Sequence, residues 1–149
     1  MNKQPQYLWR EEDKTALTTI FYKNYTFTGE AHCHPDDQDM MSKLTGQTIA
    51  EYRATIKYLR FVRDCELQPQ LKALKQLYYN MKHSKNFNPK SYEAIMLYRQ
   101  IRHIEEDLKE IGFMITNTKD NLQCYLNTKE KDHIQLRNYL QKKQLADNN

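Results

Sequence analysis

Apolar positions along most of this chain recur at steps of three and four residues, the spacing that puts them on one side of a helix. In residues 39–60, DMMSKLTGQTIAEYRATIKYLR, Met41 and Leu44 supply the inner face of a short first helix, and Ile49, Tyr52, Ile56 and Leu59 form the stripe of a second. Gly46 can take the left-handed conformation that ends the first, and Thr48 can cap the next. The spacing therefore predicts a helix, a tight turn and a second helix. The outer side of that second helix carries Gln47, Ala50, Arg53, Ala54, Lys57 and Arg60. A slim, cationic face of this kind can enter a DNA major groove about 12 Å wide.

The flanking segments read as follows. Trp9, Ala16, Leu17, Ile20 and Phe21 share one side of a helix from about residue 10 to about residue 23, although Thr18-Thr19-Ile20 is a β-branched cluster compatible with a strand. Tyr25 to Thr28 alternates and stops at Gly29, a short strand leading into the loop GEAHCHPDD, where Asp36 or Asp37 can cap the next helix. Pro69 starts a helix with Leu71, Leu74, Leu77, Tyr78 and Met81 inside and Lys72, Lys75, Lys82 and Lys85 outside. Pro89 and Ser91 open a longer one. There Ile95, Leu97, Ile101, Ile104, Leu108 and Ile111 recur at nearly heptad intervals before Gly112 closes it, a stripe fit for a core or a dimer seam. GFMITNTKDNLQCYLN then alternates, predicting a hairpin with Phe113 and Ile115 on one strand and Leu122, Cys124 and Leu126 across the turn TKDN. Ile134, Leu136, Tyr139 and Leu140 return to helical spacing.

The segment LTGQTIAEYRATIKYLR resembles the recognition half of bacterial winged helix-turn-helix regulators, whose pattern has Leu-x-Gly, then Ser or Thr, then apolar residues at the intervals of Tyr52, Ile56 and Leu59. In that family a β-hairpin wing follows quickly, whereas here RDCELQPQLKALKQLYYN continues as helix. LKEIGF and the hairpin after it also look like the end of a winged helix domain, with Asn117 to Asn121 as the wing tip. A layout of two such units is similar to accessory proteins of conjugative plasmid transfer and to phage excisionase-like factors. The resemblance implies a double-stranded DNA-binding protein, a transcriptional regulator or transfer accessory factor, in which Gln47, Thr48 and Ala50 face base edges. Lys43, Arg53 and Lys57 would then meet phosphates or a guanine edge, Arg60 and Arg63 would lie farther along the DNA backbone, and Lys119 would grip a phosphate or enter a minor groove at the wing.

Composition narrows the class. A chain of 149 residues with 39% hydrophobic positions can bury a core, and three glycines and four prolines suit a mainly helical protein. Net charge is +4 with a pI near 8.8, enough to favour a polyanion. Eleven tyrosines can line a small core while their hydroxyls reach water. Cys33, Cys65 and Cys124 are odd in number and widely spaced, so neither a disulfide framework nor a zinc finger is indicated, and a reducing cytoplasm is the simplest home. The N-terminus lacks a signal-peptide core, and no apolar run approaches the roughly 20 residues that cross a bilayer.

His32-Cys33-His34, with Asp36 and Asp37, is the one cluster with metal-ligand chemistry, but adjacent residues seldom converge on one ion and a loop before a helix cap explains them. With no phosphate-cradling loop or nucleophile elbow, no enzyme, cofactor or small-molecule substrate is expected. The expected fold is mainly α with a small β component, winged helix-turn-helix-like, with a first unit over 1–66 and a helical unit with a C-terminal hairpin over 67–149. The rival to DNA binding is a protein-binding adaptor or inhibitor, or a homodimer, acting through the 95–111 stripe.

Overall fold

In a computed structural model, which describes residues 3–32 and 42–148, the chain is mainly α with a small antiparallel sheet. Three strands come first: β1 Gln6–Arg10, β2 Thr15–Tyr22 and β3 Tyr25–His32. Helix α1 Lys43–Phe61 runs through a π-helical segment Val62–Leu67 into α2 Gln68–Lys82, and α3 Tyr92–Asp147 closes the chain. Two compact units result, Met1–Ile56 with Asn117–Asn149 and Lys57–Thr116.

The helix expected over residues 10–23 is instead half of a β-meander, in the order β1-β2-β3. A two-residue turn, with Lys23 at φ 54°, pairs Tyr22 with Tyr25, so cross-strand pairs along one face are Ile20 with Phe27, Thr18 with Gly29 and Ala16 with Ala31. On the opposite face Thr19 and Thr28 sit side by side with hydroxyls 3.1 Å apart, the β-branched pairing that favours a sheet.

The residues of the inner face are small because a helix lies almost on the backbone. A Cβ on Gly29 would stand 2.0 Å from the Ala50 carbonyl oxygen and 2.5 Å from the Ala54 nitrogen. Ala16, Ala31, Ile49 and Ala50 form the buried cluster there, with Trp9, Leu122, Tyr125 and Leu126 packed around it. Gly46, Ala50 and Ala54 recur every four residues and all are buried, a row of small side chains that lets strand and helix approach.

That row replaces the expected turn. No glycine has a positive φ among the described residues, and Gly46 donates its N–H to the Ser42 carbonyl at 3.0 Å as part of the first turn of α1. Ser42 is the cap, its hydroxyl accepting the Thr45 N–H at 3.0 Å. Thr48 caps nothing: its hydroxyl donates to the Leu44 carbonyl at 2.8 Å, one turn back. The proposed Asp36 and Asp37 caps and the start of the first helix at Met41 lie outside the described residues.

Helix α3 also overrides two sequence signals. It runs on through Gly112 and through the whole expected hairpin 113–127. Its buried and half-buried positions explain why: Ala94, Leu97, Ile101, Ile104, Leu108, Ile111, Ile115, Thr118, Leu122 and Tyr125 alternate steps of three and four without a break. That 3.5-residue period is a coiled-coil seam, and the apparent two-residue alternation after Gly112 is a fragment of it. Ile95, expected inside, is 39% exposed, and Ala94 takes the seam position.

In the second unit Leu59, Ile111 and Ile115 are the buried centre, with Tyr58, Val62 and Leu67 against them. Val62 and Leu67 are five residues apart, a spacing that an α-helix would place on different sides. The π-helical turn, closed by the Gln68 N–H on the Arg63 carbonyl, puts both on one face. It also ends just before Pro69, whose ring would crowd the carbonyl one α-turn earlier, so helix continues where a break is usual. Leu71, Leu74, Tyr78 and Met81 then continue the inner side of α2, while Leu77 is 56% exposed. Tyr78 meets Tyr98 and Phe87, with ring centroids 6.2 and 6.3 Å away, and Lys75 faces Glu105 at 3.9 Å, so the helices pair antiparallel.

Candidate interaction surface

The side of α1 expected to meet DNA is largely occupied by the sheet. The stripe Ile49, Ile56 and Leu59 is buried and Tyr52 half-buried, as the periodicity implies, but Ala50 and Ala54 on the other side are 0% exposed beneath β3. Gln47 and Thr48 are half-buried. Arg53 donates from Nη1 to the Glu30 carbonyl of β3 at 2.6 Å, tying helix to strand. Lys43, Lys57 and Arg60 are exposed, and Lys119 is exposed in the middle of α3, where no turn forms. With Arg53 committed to β3, Lys57 and Arg60 are an exposed basic pair one turn apart on α1.

The histidine cluster divides. His32 has a partner for each ring nitrogen, the Thr15 hydroxyl 3.0 Å from Nδ1 and the Glu30 carboxylate 2.9 Å from Nε2. Cys33, His34, Asp36 and Asp37 lie outside the described residues. Among the described residues no three or more His, Cys, Asp or Glu side chains are placed to hold a metal.

A groove that the sequence did not signal, about 340 Å³, runs beside α1, lined by Thr48, Glu51, Tyr52, Thr55 and Thr118. Partial burial, together with the Glu51 carboxylate that accepts its hydroxyl, raises the Tyr7 pKa above the ordinary phenol value. This polar contact links β1 to α1.

The 95–111 stripe offered as a protein interface is taken up inside the second unit, with Ile101 and Ile111 buried and Leu97, Ile104 and Leu108 half-buried. An open apolar surface lies farther along α3. Tyr52 of α1 and Tyr125 of α3 pack with centroids 6.2 Å apart, and with equal rise on two antiparallel helices Lys43 falls opposite about residue 134. The rest of α3 passes the start of α1. Every residue from Ile134 to Asn148 is exposed, including Ile134, Leu136, Tyr139, Leu140 and Leu145 at 45–65%. Each such side chain, fully buried, would contribute about 1.5–3 kcal/mol. No described helix is long and apolar enough to cross a membrane. No protein-family model matches the chain, nor does any curated protein or solved structure.

Proposed function

We propose that this protein works by binding another protein, as a helical interaction module whose docking surface is the C-terminal stretch of α3. The carrying observation is a contrast within one helix. Residues 94–125 of α3 bury a regular seam, while Leu136, Tyr139 and Leu140 continue helical spacing with nothing described against them. The small-residue packing of Gly29 on Ala50 and Ala54 supports this reading, because it anchors the sheet to α1 and leaves α3 an organised base. An amphipathic helix presented in this way suits a helical partner, to which it offers apolar side chains at steps of three and four.

The test is photo-cross-linking in the producing cells from p-benzoylphenylalanine placed at position 140. The reading expects an adduct of one discrete protein mass, lost when Leu136 is also changed to Lys. A helix that contacts only solvent would give no protein adduct.

A second reading is duplex DNA binding, favoured by the exposed basic pair Lys57 and Arg60 and by the net charge of +4. With Ala50 covered, we propose it only as contact with phosphates, without base reading by residues 47–50. Lys57→Glu with Arg60→Glu should then abolish a low-salt gel shift that the unmodified protein produces. Failure of the unmodified protein to shift duplex DNA would remove this reading.

A further inference from the structure

We infer that the occupant of the α3 docking surface is the same stretch of a second copy, laid antiparallel. This rests on the protein-binding reading above and names its partner. The seam of α3 alternates steps of three and four through Leu122 and Tyr125, and carrying the same steps onward reaches Lys129, Asp132, Leu136, Tyr139 and Lys143. The seam positions of the exposed stretch are thus two apolar residues bracketed by an acid on one side and a base on the other.

That arrangement selects an orientation. In a parallel pair each seam residue meets its own copy, so Asp132 would face Asp132 and Lys143 would face Lys143. In an antiparallel pair the two kinds of seam position alternate across the interface. Leu136 of one copy then layers with Tyr139 of the other, and the same register sets Asp132 against Lys143. By symmetry this happens twice, so one register satisfies both the apolar and the charged positions. Leu140 flanks the centre and widens the apolar contact.

The pair is weak and reversible. The span from Asp132 to Asp147 is only about 23 Å of helix at 1.5 Å per residue, and helices this short are marginal unless they are packed. Dimer therefore grows in over tens to hundreds of micromolar chain, and exchanging the sign of either charged position creates two like-charge layers per dimer.

The experiment is sedimentation equilibrium of the purified full chain from about 5 to 500 µM, beside Asp132→Lys, Lys143→Asp, an equimolar mixture of those two, and Leu136→Asp. The unmodified chain should move from 18.0 kDa towards twice that mass. Each single charge exchange should raise the dimer dissociation constant by about tenfold or more, the mixture should recover association, and Leu136→Asp should remain a monomer. Circular dichroism matching the unmodified chain checks that these exposed substitutions leave the fold intact. An unmodified chain that stays monomeric throughout, or a dimer indifferent to both charge exchanges, overturns the inference. If that monomer still gives a position-140 cross-link to a different protein, the docking reading survives without its self-partner. If neither association nor adduct appears, both fall.

Discussion

Adding one methyl group at Gly29 should detach the sheet from its helix. The new Cβ would lie 2.0 Å from the Ala50 carbonyl oxygen and 2.5 Å from the Ala54 nitrogen, and both are backbone atoms that no rotamer change can move aside. Restoring ordinary contact, at 3.4 Å or more, requires β3 to withdraw from α1 by about 1.4 Å. A gap of 0.5–1 Å already forfeits a quarter to a half of the dispersion well, so the buried Ala16, Ala31 and Ala50 lose most of their contact. Overpacking in cores costs roughly 1–3 kcal/mol, and an obstacle made of α1 backbone at both Ala50 and Ala54 puts Gly29→Ala at about 3 kcal/mol or above. Gly112→Ala is the matched control. A Cβ there meets nothing within 4 Å, and the residue is inside α3, so the substitution should stabilise by about 0.5–1 kcal/mol through helix propensity. Urea titration followed by circular dichroism, with Trp9 fluorescence reporting on the sheet, compares the two. An unfolding free energy for Gly29→Ala within about 0.5 kcal/mol of that of the unmodified protein would refute the close approach.

Further substitutions probe other parts of the account. The Thr18 hydroxyl is buried at 0% exposure without a hydrogen-bond partner, so Thr18→Val should stabilise by about 1 kcal/mol in the same titration. Ile101 is buried on the α3 seam, and Ile101→Ala should cost about 2–4 kcal/mol, whereas a change within experimental error would mean the seam is not packed. Lys23 is held at φ 54° in a two-residue turn, and Lys23→Gly should raise the melting temperature by a degree or more. Burial and Glu51 raise the Tyr7 pKa, so its neutral form is favoured in the folded state. The associated stability is complete below the ordinary phenol value and is lost as pH rises through the raised one; Tyr7→Phe should flatten the fall in melting temperature at alkaline pH.

Helices were legible where apolar residues are large and regularly spaced, as in α2 and in α3 up to Ile111. The stripe Ile49, Tyr52, Ile56 and Leu59 was legible for the same reason. The sheet was not, because its inner face uses Ala16, Thr18, Gly29 and Ala31, whose size answers a helix backbone close above them and leaves no strong alternation. Leu17 and Phe21, half-buried on the other face, combined with Ala16 and Ile20 into a false helical pattern. Gly46 and Gly112 carried turn chemistry in the sequence, but both sit in helix, the first in a buried small-residue row and the second beside an uninterrupted heptad seam. The basic residues of α1 were visible, but their setting was not: Ala50 is covered by β3 at Gly29, 21 residues earlier in the chain, and no local pattern encodes that contact. The stretch 134–145 showed its helical spacing but not the exposure of Ile134, Leu136, Tyr139, Leu140 and Leu145, which no local pattern encodes.

Amide hydrogen exchange along α3, read at low and high concentrations of the full chain, tests most directly whether its last turns are a docking surface. Exchange should be slow over 97–125 at every concentration, fast over 134–147 in dilute solution, and selectively slowed over 134–147 as the chain is concentrated. Protection of 134–147 already complete in the dilute chain, or exchange there that never responds to concentration or to a cross-linked partner, would contradict the docking reading.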